Sequence, residues 1–127
     1  ADEYTGIDLK DAEMMELDYD QKDQAYLALA TGVIGSKEHK INVGAKLSEA
    51  IISPFATWVA ETFPDDTSKQ QELMALAYDA AGAMWANLMN QNVPFNEAVA
   101  QVAMMMDTMF GGMGWSSDTY VDFSPAY

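Results

Sequence analysis

The stretch "QELMALAYDAAGAMWANLMNQ", residues 71–91, repeats apolar side chains at steps of three and four. Leu73, Leu76 or Ala77, Ala80, Met84 and Leu88 fall on one stripe, the pattern of an amphipathic α-helix with a buried face. A second line, Met74, Tyr78, Trp85 and Met89, runs beside it. A helix apolar on two sides must be covered on two sides, so this is either the central helix of a bundle or a helix at a subunit interface. Thr67-Ser68-Lys69-Gln70 fits a capping box that opens it, and Asn92-Val93-Pro94 closes it by about Asn90.

The same period recurs from Phe95 to Phe110, where Gly111-Gly112 stops the helix. Phe95, Val99, Val102, Met106, Met109 and Phe110 form the inward face, and Met105 flanks it. Met104 points about 200° from Val102 at 100° per residue. Packing therefore accounts for most of "AMMMDTMFGGMGW" but leaves Met104 and Met113 outside the core. With Trp115 they predict an exposed apolar patch, a feature that asks for a partner.

Elsewhere the punctuation is helical. Asp8 and Asp11 open a short helix to about Tyr19. Asp20 reads as the N-cap of a second helix, with Asp23 in its first turn and Gly32 at its end. "VIGSKEHKIN" reads as a loop, and a third helix starts near Val43. Ser53-Pro54 breaks or kinks it, and the next piece runs through Phe55, Trp58, Val59 and Thr62 to Phe63-Pro64. No strand pattern stands out, although "SSDTYVDF" reads as locally extended. The expectation is an all-α fold: an irregular bundle of five or six helices in a single domain over residues 1–127, with a partly extended tail from about residue 111.

Composition narrows the chemistry. The 127 residues hold 20 acids against six lysines, no arginine and no cysteine, for a net charge of −14. Thiolate metal sites, disulfides and thiol nucleophiles are excluded. The charge repels nucleic acid and anionic membrane, and phosphate substrates usually recruit the arginine forks this chain lacks. No run reaches the roughly 20 apolar residues of a membrane span. The sequence starts at Ala1-Asp2-Glu3, which reads as a mature end left by signal-peptide cleavage and predicts an exported, periplasmic protein.

Catalytic patterns are missing: there is no GxSxG, HExxH or glycine-rich phosphate loop. The one histidine, His39, sits between Glu38 and Lys40 and reads as a solvated loop residue. "DYDQKD" groups Asp18, Asp20 and Asp23 but departs from a calcium loop where Lys22, Asp23 and Leu29 stand. No cofactor and no metal are expected, and the protein reads as a non-enzyme. One metal alternative stays open: thioethers bind Cu(I), and Met105, Met109 and Met113 would align if the helix ran on past the glycines.

Acid is concentrated from Ala1 to Asp23, with nine acids, two lysines and interleaved Tyr4, Met14, Met15 and Tyr19. After Lys69 there are six acids and no base. Rings give desolvated anchor area and carboxylates steer encounter with a cationic surface. The partner-binding candidates are Glu13, Glu16, Asp18, Tyr19 and Asp20, with Trp115 and Tyr120 from the tail. The self-association candidates are Met74, Trp85, Met89, Met104 and Met105.

In its mature-looking "ADEYTG" start, acid-rich "DLKDAEMMELDYD" and methionine- and aromatic-rich helices, the chain resembles the immunity proteins of bacterial type VI secretion. The resemblance implies a periplasmic homodimer that plugs the cationic groove of a muramidase-like, wall-degrading toxin. A periplasmic Cu(I)-binding protein and a secretion chaperone or adaptor subunit are the competing readings.

Overall fold

In the computed structural model, which describes residues 21–123, Tyr26 and Leu29 are the buried side chains of the first helix, α1 (Gln21–Leu29). The expected helix from Asp8 to Tyr19 and the cap at Asp20 lie outside the described residues. α1 ends three residues before Gly32, and the turn that follows is clamped by one distant side chain. Asn90 Oδ1 accepts from the Ile34 N–H at 2.9 Å, and Asn90 Nδ2 donates to Gly32 O at 2.9 Å.

The second helix, α2 (Lys37–Leu47), begins six residues before the expected start. Ser36 is its N-cap, with Oγ accepting from the His39 N–H at 3.1 Å, and Glu38 in the first turn complements the helix dipole. "VIGSKEHKIN" is thus half loop and half helix, and His39 sits exposed on a helix rather than in a loop. α2 and α1 pack with their backbones in contact at Gly44, where a β-carbon would overlap the Tyr26 carbonyl.

The helix is not broken at Ser53-Pro54. It widens into a single π-turn over Ser48–Ile52 and continues as α3 (Ser53–Thr62), with the junction residues Leu47, Ser48, Ile52 and Ser53 all in right-handed helical conformation. The Ser53 N–H bonds back five residues, to Ser48 O. A proline inside a regular helix has no N–H and drives its ring into the carbonyl four residues earlier. The wider turn changes that register just before Pro54 and accommodates it without a break. α3 buries Phe55, Trp58 and Val59 and stops at Phe63, ahead of Pro64.

The long helix, α4 (Thr67–Asn90), is capped one residue earlier than predicted: Asp66 Oδ1 accepts from the Lys69 N–H at 2.9 Å. Gln70 reaches back to Phe63 O at 2.6 Å instead of closing a box on Thr67. The buried stripe is Leu73, Ala77, Ala81, Trp85 and Leu88, with Ala86 beside it. Ala80 and Met84, assigned to the stripe from sequence, are only half-buried, and Leu76 is exposed. α4 packs against α1, α3 and α5 (Phe95–Phe110), so its two apolar sides are explained by a central position. It ends in a Schellman turn: Val93 N–H to Leu88 O and Asn92 N–H to Met89 O, both 3.1 Å, with Asn92 at φ 60°.

α5 buries Val99, Val102, Met106 and Phe110. Beyond it come one 3-10 turn, Gly111–Met113, and then Gly114 in the left-handed region at φ 106°. The tail does not extend as expected. Ser117–Tyr120 form a short helix, α6, because the Asp107 carboxylate accepts from both the Ser117 N–H at 2.8 Å and Ser117 Oγ at 2.6 Å. The described residues therefore form an all-α bundle with no strand, five longer helices and a short sixth.

Candidate protein-binding surface

The C-terminal hook is held by rings. Phe55 from α3 lies 4.6 Å from Phe110, 5.4 Å from Trp58 and 5.2 Å from Trp115 by ring centroids, and Tyr120 stacks on the other side of Trp115 at 5.5 Å and 20°. Trp115 is 3% exposed. It belongs to the core, and this corrects both its place in an exposed patch and its role as a partner contact. Its indole N–H is buried with no hydrogen-bond partner, so packing alone holds it. Tyr120 is half-buried and donates its hydroxyl to Glu61 Oε1 at 3.0 Å. That bond raises the Tyr120 phenol above its ordinary range, and desolvation and the Glu61 charge add to it.

The five acidic-arm candidates, Glu13, Glu16, Asp18, Tyr19 and Asp20, lie outside the described residues. The self-association set is not one patch. Trp85 is fully buried and donates Nε1–H to Val43 O at 2.9 Å, which ties α4 to α2 and removes it from any surface. Met74 and Met89 are half-buried against the core and stand roughly 22 Å apart along α4 at 1.5 Å per residue. Met104 is 68% exposed, as its position on the helical wheel requires, and Met105 is half-buried beside it.

Two exposed methionines join Met104. Met113 was expected outside; Met109 was expected inside, yet is 39% exposed against 38% for Met113. Met109 sits in the last turn of α5, where the neighbouring elements no longer cover it. Between these methionines lie Gly111 and Gly112, exposed, with nothing within 4 Å of the position a β-carbon would take on either.

Charge surrounds this end of the molecule with one sign. Of the six acids after Lys69, all but Asp107 are exposed. Lys69 itself lies 3.8 Å from Glu72, a separation too long and too solvated to contribute much. The described residues contain no group of three or more His, Asp or Glu arranged to hold a metal ion. The chain continues from α5 into the 3-10 turn without a gap, so Met105, Met109 and Met113 fall on successive turns.

Sequence reasoning missed a groove of about 570 Å³ where α2, the π-turn, α5 and the hook meet. Phe95, Tyr120, Ala50 and Pro54 supply its apolar lining, and Lys46, Glu49 and Asp122 its charges. The Lys46 ammonium stands 5.6 Å from the Phe95 ring centroid. No local pattern marks such a site, because its residues come from segments tens of positions apart. Among the described helices none is long and apolar enough to cross a membrane. Compared with protein-family models, with curated proteins and with solved structures, the chain matches none.

Proposed function

We propose that this protein acts by binding and transforms nothing: it docks an acidic, methionine-bearing surface on a cationic protein and blocks it. The reading includes the more specific role of an exported immunity protein that neutralises a cationic, wall-degrading toxin of type VI secretion, with self-association into a homodimer. One observation carries it. From residue 70 to residue 123 the chain has six acids and no base, and five of those acids share the surface with Met104, Met109 and Met113. Such a surface attracts a positive partner at long range and offers it polarizable, adaptable apolar contacts at short range.

The test is inhibition. A cationic lysozyme-type muramidase is titrated with the purified chain, and binding is followed by calorimetry across ionic strength. The expected result is stoichiometric inhibition with affinity falling at least tenfold between about 50 and 200 mM salt. Binding indifferent to salt, or turnover of a cell-wall substrate by the chain itself, refutes the reading.

A further inference from the structure

Gly111 and Gly112 are anomalous in their own fold. Gly111 has φ −60°, Gly112 lies within the same 3-10 turn, and neither has anything within 4 Å of a would-be β-carbon. Any residue would fit. Glycine there costs backbone entropy that alanine would not. By contrast, Gly44 is demanded by the Tyr26 carbonyl, and Gly114 by its left-handed φ. A pair of glycines that the fold does not need, exposed between Met104, Met109 and Met113, leaves bare backbone flanked by flexible apolar side chains.

The electrostatics select what approaches. The turn follows the C-terminus of α5, the negative end of its dipole. Glu97 lies on the same helix face as Met104, seven residues and nearly two turns away. No basic side chain follows Lys69 in sequence. A second copy would bring this same negative end against itself, so charge disfavours a symmetric dimer here and favours a cationic occupant. Scattered polar contacts would not need three methionines, and a purely apolar partner would not need the acids.

We infer that the Met104–Met109–Met113 surface, with the bare Gly111-Gly112 backbone at its centre, is the docking site for an amphipathic helix of the partner that carries lysine or arginine beside its apolar face. Methionines pack against the apolar face. The glycines let the partner backbone come close, and its basic side chains reach the carbonyl end of α5. This rests on the reading of the chain as a binder of cationic proteins and adds the surface and the partner's secondary structure.

The probe is a synthetic 18-residue helix of lysine and leucine in amphipathic order, with a peptide of the same composition in scrambled order as control. The full chain, labelled at its methionine methyl groups, is titrated with each and followed by NMR. The expected result is that the methyl signals of Met104, Met109 and Met113 shift while that of Met106, buried in the core, does not. The triple variant Met104→Gln, Met109→Gln, Met113→Gln binds at least tenfold more weakly, and Gly111→Ala with Gly112→Ala also weakens binding while leaving the fold intact by circular dichroism. The scrambled peptide binds at least tenfold more weakly than the ordered one. Shifts that centre on other methionines, or unchanged affinity in the triple variant, overturn the assignment of this surface while salt-sensitive binding elsewhere upholds the broader reading. No binding of the peptide at any ionic strength overturns both. Concentration-dependent shifts of these three methyls in the chain alone assign the surface to self-association and overturn the proposal.

Discussion

The carbonyl oxygen of Tyr26 occupies the space that a β-carbon on Gly44 would need, and α1 and α2 touch through this pair. Both partners are backbone, so neither side can yield by rotating a side chain. Gly44→Ala must push the helices apart or bend one of them. Overpacking a core costs about 1–3 kcal/mol, and the absence of a flexible neighbour places this variant near the upper figure. Urea unfolding followed by circular dichroism measures it. Gly111→Ala is the matched opposite. Its φ of −60° is ordinary for alanine, and the expected outcome is a gain of about 0.4–1 kcal/mol from a less flexible unfolded chain.

Trp85 and Trp115 are both buried but differ in one bond. Trp85 donates to Val43 O, whereas the Trp115 N–H has no partner. Replacing either with phenylalanine removes ring area and leaves a void. Trp85→Phe also strips a buried carbonyl of its side-chain donor, while Trp115→Phe relieves a desolvated, unpaired donor, a difference of about 1–3 kcal/mol. Trp85→Phe is therefore expected to lower the unfolding midpoint more than Trp115→Phe. Equal losses in chemical denaturation would show that the bond to Val43 contributes nothing net.

The hook depends on Asp107. Its carboxylate accepts two bonds from Ser117, whose side chain is buried. Asp107→Ala leaves a buried amide and hydroxyl without that acceptor and is expected to cost about 1–3 kcal/mol. Asp107→Asn keeps one acceptor oxygen and lies between. Amide hydrogen exchange localises the effect: protection falls at Ser117 and Val121 in the alanine variant, while the core of α4 keeps its own.

These contacts also mark where local sequence stops informing. α4 and α5 were legible because a 3.6-residue period is written into their own residues, and Met104 was placed outside by angle alone. The stripe on α4 was misplaced by one step at Ala80 and Met84, since Trp85 and Met84 are both apolar and only the Val43 carbonyl, 42 positions away, decides which turns inward. Pro54 predicted a break because a local rule cannot foresee a π-turn upstream. Trp115 read as exposed because it follows two glycines, and its burial depends on Phe55 arriving from α3. The groove and the Glu61–Tyr120 bond join residues with no shared periodicity, so neither had a local signature.

The Tyr120–Glu61 bond makes a pH prediction with a definite sign. In the folded protein the phenol is held above its ordinary range of about 10, first by its hydrogen bond to Glu61, then by desolvation and the carboxylate charge. The folded state thus keeps this proton more tightly than the unfolded chain. The stabilisation is fully present below the unfolded value and is lost as pH rises through the folded one. Tyr120→Phe lacks the bond, so the gap in urea midpoint between parent and variant should be constant from about pH 7 to 9 and shrink above about pH 10. Absorbance at the tyrosinate band supplies an independent reading: the parent shows one phenol ionising later than ordinary tyrosine, and that step vanishes in Tyr120→Phe. A gap that widens above pH 10 would mean that Glu61 favours the ionised phenol, against the geometry of a hydroxyl donating to a carboxylate.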